Sequence, residues 1–133
     1  MKLKLKNEEI KGIGFTKIHR LRFMDEEPVI IETAYLPHNI LPGIENIEKE
    51  YFELGSLYDL MEQRWGLFPS WSDSVLFARL TSEEEMKLFK DEERVPIIVS
   101  WKLILSQANQ LIEITQSVFG KHYLFEYNAF RGS

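Results

Sequence analysis

Two alternating segments in the last third of the chain constrain the fold more than any other feature. In Pro96–Ser106, apolar side chains recur at every second position, as in a strand with one buried face. After a turn at Ala108 and Asn109, the segment Leu111–Phe119 alternates as well. The residues expected to share a face are Ile97, Val99, Trp101, Leu103 and Leu105 in the first segment, and Ile112, Ile114, Gln116 and Val118 in the second. Two such segments joined by a short turn predict an antiparallel hairpin.

The rest of the chain adds a second hairpin and two helices to this pattern. Residues 13–24 and 28–36 are expected to pair across the acidic turn Asp25–Pro28. The other expected elements, in chain order, are a loop or irregular short helix at Pro37–Glu53, a helix capped by Ser56 and stopped at Gly66, an extended segment at 70–80, a helix from Thr81 to Lys90, and a final strand at Tyr123–Tyr127. This order predicts an α+β fold, an antiparallel sheet with flanking helices.

Composition excludes several classes of protein. At 133 residues, with 44% hydrophobic and 28% charged residues, the chain is typical of one folded domain with its own core. The formal net charge of −5, without a basic run, argues against nucleic-acid binding by this chain itself. The chain has no cysteine, which excludes disulfides, thiolate metal sites and cysteine nucleophiles. No apolar run approaches the roughly 18 residues of a membrane helix, and the first residues lack a signal-peptide core, so no membrane partner and a cytoplasmic location are expected.

Two arginines and one glutamate mark a candidate anion site on the first hairpin. Arg20 and Arg22 lie two residues apart and should project from the same face of their strand, and Glu32 is a lone carboxylate on the apolar neighbouring strand. Guanidinium groups hold anions through charge-assisted hydrogen bonds, and a carboxylate accepts hydrogen bonds from hydroxyl groups. The combination suits an anionic, hydroxyl-bearing small molecule. The alternative is a solvated sheet face on which Glu32 is a cross-strand ion-pair partner.

Two further features could belong to the same site. Ser56, as a helix N-cap, would lie beside free backbone N–H groups at the positive end of a helix, which is a common anion-binding arrangement. Glu113 shares a strand face with Thr115 and Ser117, so these polar groups could line a cavity wall. The alternatives are a plain structural cap at Ser56 and a wet outer sheet face at Glu113.

The sequence gives no motif for catalysis or for a metal. His19, His38 and His122 do not have the spacing of a metal site. The chain also lacks a nucleophile elbow, a Walker loop and a dinucleotide-binding glycine motif, so no cofactor is expected.

Taken in order, several short motifs resemble those of one known family. The first four are Arg20-Leu21-Arg22, Asp25-Glu26-Glu27-Pro28, Glu32-Thr33-Ala34-Tyr35-Leu36-Pro37 and Gly55-Ser56-Leu57-Tyr58. The later ones are Pro96-Ile97-Ile98, Ile112-Glu113 with Ser117-Val118-Phe119, and His122-Tyr123-Leu124-Phe125. Over most of residues 10–127, the chain resembles the UTRA domain, the effector-binding module of GntR-type transcription regulators of the HutC subfamily.

The resemblance implies a chorismate-lyase-like α+β fold that binds a small effector, often a phosphorylated sugar. By position, Arg20, Arg22 and Ser56 match the residues that hold the phosphate, with Tyr58 nearby. Glu32 and Glu113 match the acids that contact sugar hydroxyls. Phe119 stands where family members often carry tyrosine, which removes one hydroxyl contact from that wall.

The resemblance also implies a larger protein around this domain. Residues 1–133 are expected to form a single UTRA-like domain, shortened at its amino-terminus, without the winged helix-turn-helix that binds DNA in such regulators. Homodimerisation is expected, with a small anionic metabolite as the ligand and no enzymatic activity. The alternatives are a chorismate-lyase-like enzyme, which rests on fold analogy, and a dimerisation module without a ligand.

Overall fold

The computed structural model describes residues 14–47, 56–123 and 125. Its strands are β1 (Phe15–Met24), β2 (Glu27–Pro37), β3 (Pro69–Leu80), β4 (Pro96–Ser106) and β5 (Leu111–Phe119); its α-helices are α1 (Leu57–Trp65) and α2 (Glu83–Phe89); and a 3₁₀ turn spans Ile44–Asn46. In this part of the chain, the strands form one antiparallel sheet in the order β1-β2-β5-β4-β3. The two predicted hairpins are therefore neighbours, with β2 paired to β5 at the centre of the sheet.

The hairpin between β1 and β2 turns on two acidic residues. Asp25 and Glu26 both have positive φ, at 48° and 69°. A two-residue loop with two left-handed residues has the twist that joins antiparallel strands without splaying them. The tight turn pairs Met24 with Glu27 and Phe23 with Pro28, and a register shift between Arg22 and Phe23 then moves the pairing by one residue. The turn and the shift together place Arg20 directly opposite Glu32.

Both helices carry the caps that their sequences indicate. The Ser56 hydroxyl oxygen accepts a hydrogen bond from the Asp59 backbone N–H at 3.3 Å, and Gly66 ends α1 in the left-handed conformation. Ser82 and Glu85 form a capping box at the start of α2. Arg79 of β3 donates two hydrogen bonds to the Glu85 carboxylate, at 2.7 and 2.8 Å. These bonds connect the start of α2 to the edge strand of the sheet.

The two faces of the sheet have separate hydrophobic cores. On one face, Leu60 and Met61 of α1 pack against Leu36 of β2 and Ile104 of β4. On the other face, Phe89 of α2 packs in a cluster formed by Ile31, Val99, Val118 and Ile97. Each helix thus covers one face, in agreement with the predicted arrangement of helices flanking an antiparallel sheet.

The predicted alternation of β5 is wrong at one residue. Ile112 packs in the α1-side core with Leu36 and Ile104, whereas Val118 packs in the α2-side core. A register shift explains the difference, because Ile104 pairs with Glu113 but the next residue, Leu105, pairs with Leu111. The irregularity leaves Ile112 without a direct partner on β4 and places it on the α1 side.

Two other predicted elements extend beyond the described residues. Pro37–Glu53 contains the 3₁₀ turn at Ile44–Asn46, and its residues after 47 lie outside the described part. Most of the predicted strand Tyr123–Tyr127 also lies outside it, and the two described residues, Tyr123 and Phe125, are not in a strand. Among the described residues, no helix has the length and apolar character needed to cross a membrane.

Candidate functional site

A cavity of about 410 Å³ lies over the centre of the sheet, beside the start of α1. This volume is within the usual range for small-molecule sites, about 300–1,000 Å³. All seven residues singled out from the sequence line it: Arg20, Arg22, Glu32, Ser56, Tyr58, Glu113 and Phe119. The structure therefore brings the predicted set together in one place, although their role in binding stays a prediction.

The strand registers explain why residues far apart in the chain share this cavity. Arg20 pairs with Glu32, Glu32 with Ser117, and Ser117 with Ser100. Directly paired residues project from the same face of a sheet, so this row of polar side chains runs across four strands. The matching row on the opposite face is apolar, because Ile31 pairs with Val118 and Val118 pairs with Val99. The polar row is the floor of the cavity.

Glu32 is held by both arginines. Arg22 donates from Nε to Glu32 Oε2 at 3.3 Å and from Nη2 to Oε1 at 3.2 Å, and Arg20 Nη1 lies 3.9 Å from Oε1. The cross-strand ion pair weighed as an alternative is thus present, and it lies inside the cavity. The arginines differ in burial, because the side chain of Arg20 is 22% exposed and that of Arg22 is 49% exposed. Arg20 also retains a buried Nε with no hydrogen-bond partner among the described residues.

Glu113 and Tyr58 form the second polar pair of the cavity. The Tyr58 hydroxyl donates to Glu113 Oε1 at 2.7 Å, and Glu113 is only 5% exposed. Burial raises the pKa of Glu113 above its ordinary value, and the hydrogen bonds from Tyr58 and Thr115 oppose the shift only in part. Burial and the Glu113 carboxylate also raise the pKa of Tyr58, so the shared proton stays on the tyrosine oxygen at neutral pH. A buried carboxylate aimed at a cavity is suited to accept hydrogen bonds from ligand hydroxyl groups.

We expect Glu113→Gln to leave the fold at least as stable at pH 7 while weakening ligand binding. A carboxyl group whose folded pKa is raised destabilises the fold as pH rises from its ordinary 4.5, because the folded state holds the proton more tightly. Removal of the charge should therefore raise the free energy of unfolding at pH 7. The gain should vanish as pH falls toward 4.5, and urea unfolding across this pH range measures it.

The same variant should bind a sugar phosphate about tenfold more weakly, since a hydrogen bond to a charged group contributes about 1.5 kcal/mol or more. Glutamine retains an oxygen that can accept from Tyr58, so the Tyr58 contact itself is preserved. A fall in stability at pH 7 with no loss of affinity would show that Glu113 has a structural role only.

Ser56 and Phe119 line the cavity in different ways. Ser56 serves as the α1 cap through its oxygen, which leaves its hydroxyl hydrogen free to donate to another group. Phe119 lies in an aromatic cluster, with its ring centroid 4.9 Å from those of Tyr123, which is tilted against it, and Phe125, which meets it edge to face. The wall at Phe119 is therefore apolar, as its sequence suggests.

Four lining residues were not predicted from the sequence, and the most important of them is Lys102. Leu57, Ser100 and Ile104 complete the wall, and Lys102 adds a third cation. Lys102 is paired with Thr115 across β4 and β5, so it shares the face that carries Glu113 and Ser117. The alternation of β4 does place Ser100 and Lys102 opposite its apolar face, and this was the available signal. Among the described residues, no group of histidines and carboxylates is arranged to hold a metal ion.

Comparison with known proteins gives a family match over most of this chain. A family model for the UTRA domain matches residues 12–123. Among curated proteins, the chain is 26% identical over 100 residues to the HTH-type transcriptional regulator GgaR of Escherichia coli K12. The aligned residues cover 75% of this chain and 38% of that relative. The chain thus spans well under half the length of the curated relatives that it matches.

Solved structures show the same fold. A GntR-family transcriptional regulator from Enterococcus faecalis is 17% identical, with a TM-score of 0.77 over 96% of this chain and 94% of that one. The effector-binding domain of the Bacillus subtilis trehalose repressor is 22% identical, with a TM-score of 0.71 over 99% and 94% of the two chains. The effector domain of PhnF from Mycobacterium smegmatis is 20% identical, with a TM-score of 0.72 over 90% and 75%. These similarities confirm the predicted α+β, chorismate-lyase-like fold class.

Proposed function

Because this chain belongs to the UTRA domain family, we propose that it is the effector-binding domain of a bacterial GntR-type transcription regulator of the HutC subfamily. Its ligand is a small anionic metabolite, most simply a phosphorylated sugar, held in the cavity beside α1. One observation carries this proposal: a single cavity of metabolite size contains three cations, two carboxylates and several hydroxyl groups.

The charges of the cavity favour an anion. Arg20, Arg22 and Lys102 outnumber Glu32 and Glu113 by one. Since Glu32 is shared between both arginines, neither guanidinium has its full set of hydrogen bonds. A phosphate group can take the unused donors, including the buried Nε of Arg20.

The remaining polar groups suit the hydroxyls of a sugar. Glu113 and Glu32 accept hydrogen bonds, and Ser117, Thr115 and Ser56 can donate or accept them. The apolar ring of Phe119 offers a surface for the C–H groups of the same molecule. The set therefore recognises both parts of a sugar phosphate.

Regulation follows from coupling between this site and a DNA-binding domain elsewhere in the protein. The effector must prefer one of two arrangements of the regulator to shift the population between them. Homodimerisation of the cytoplasmic regulator would bring two such domains to an operator with two half-sites. In this proposal the domain is a sensor and performs no catalysis.

A thermal-shift screen tests the proposal directly. We expect one or more sugar phosphates to raise the Tm by several degrees, since a ligand at 100 times its Kd stabilises by about 2.7 kcal/mol. The matched unphosphorylated sugars should have little effect, and inorganic phosphate a small one. If no anionic metabolite raises the Tm, the domain is a dimerisation module without a ligand. Release of 4-hydroxybenzoate from chorismate would instead indicate an enzyme.

A further inference from the structure

Lys102 is a cation of the cavity that takes no part in the ion pairs described there. It lines the same cavity as Arg20 and Arg22, yet it has no ion-pair partner among the residues that the structure describes. Both arginines, by contrast, lie against Glu32. The spare positive charge of the cavity is therefore divided between two places, one beside the arginines and one at Lys102.

These two places are at opposite ends of the polar floor. Arg20 is on β1 and Lys102 is on β4, with β2 and β5 between them. Neighbouring strands are about 4.8 Å apart, so the two backbones are separated by about 14 Å across the sheet. A ligand with two anionic groups can therefore place one group at the arginines and the other at Lys102, on different strands of the same cavity.

The surroundings of Lys102 are suited to a second acidic group. Its register partner Thr115 and its near neighbour Ser100 present hydroxyl groups on the same face of the sheet. An ammonium group with hydroxyl donors beside it is a typical environment for a carboxylate. Lys102 is exposed, so this contact would form at the mouth of the cavity.

We propose that Lys102 selects ligands with two separated anionic groups, a phosphate at the arginine end and a carboxylate at the lysine end. The ligand class is then a phosphorylated sugar acid rather than a neutral sugar phosphate. This inference rests on the proposed function, since it assigns the second end of the same ligand.

Three matched probes test the inference by titration calorimetry. They are 6-phosphogluconate, glucitol 6-phosphate, in which the terminal carboxylate is reduced to an alcohol, and gluconate, which lacks the phosphate. In the unmodified chain, 6-phosphogluconate should bind at least tenfold more tightly than glucitol 6-phosphate. Lys102→Met should abolish this difference, because it should lower the affinity for 6-phosphogluconate at least tenfold more than the affinity for glucitol 6-phosphate.

Lys17→Met is the matched control, because Lys17 is an exposed strand lysine that does not line the cavity. It should retain the full preference for the carboxylate. If glucitol 6-phosphate binds as tightly as 6-phosphogluconate, or if both lysine variants behave alike, Lys102 is a solvated residue at the rim and the inference is overturned, while the proposed function stands. If neither phosphate compound nor inorganic phosphate binds, the proposed function fails and the inference fails with it.

Discussion

Arg20→Gln is expected to weaken the binding of a sugar phosphate by about 10- to 150-fold, which corresponds to the 1.5–3 kcal/mol of a hydrogen bond to a charged group. Arg20 is the more buried arginine of the cavity, and its buried Nε has no partner among the described residues. The anion of the ligand supplies that partner in our proposal. Titration calorimetry with the best ligand from the thermal-shift screen measures the loss.

Arg22→Gln should have a smaller effect than Arg20→Gln. Its side chain is 49% exposed, and both of its contacts to Glu32 use donors that the ligand would have to share. Arg94→Gln is the control, because it removes the same formal charge from an exposed residue that does not line the cavity. Unchanged affinity in the Arg20/Arg22 double variant would show that the anion site has been assigned to the wrong residues.

Met61→Ala is expected to lower the free energy of unfolding by about 2–5 kcal/mol, the usual range for truncating a fully buried large side chain. Met61 is completely buried in the α1-side core, where it packs with Leu60 and Leu36. Since Ser56 and Tyr58 lie at the start of the same helix, a loosened α1 should also reduce ligand affinity. Urea unfolding gives the stability, and calorimetry gives the affinity.

Gln63→Ala provides the comparison on the same helix. Gln63 is exposed, so its truncation should change the stability by no more than about 0.5 kcal/mol. If Met61→Ala were as mild as Gln63→Ala, the packing of α1 on the sheet would not be the contact that supports this side of the cavity.

Local sequence signals predicted most of the elements because each signal acts over a few residues. The Ser56 cap and the Gly66 stop define α1, and the alternation of Pro96–Ser106 defines β4. The predicted face of Ile112 is wrong because a register shift depends on two strands at once. The pattern of residues along one strand does not show where its pairing with the neighbouring strand shifts in register.

The candidate site was predicted in part for a related reason. The spacing of Arg20 and Arg22 and the family resemblance together identified residues that do line one cavity. The direct opposition of Arg20 and Glu32 depends on the two-residue turn together with the register shift between Arg22 and Phe23. The inclusion of Lys102 depends on the pairing of β4 with β5. These long-range registers are set by the whole sheet, so no short motif could show that Lys102 faces the arginines across the floor.

The placement of Glu32 between two guanidinium groups has a consequence for selectivity among the abundant anions of a cell. Chloride, acetate and similar monovalent ions would have to compete with a carboxylate that is already in position and bears the same charge. We expect them to gain little by entering, whereas a doubly charged phosphate interacts more strongly with the same donors. Glu32 would thus keep monovalent anions out of the site in salt solution. Only a ligand group with more than one negative charge would then bind there.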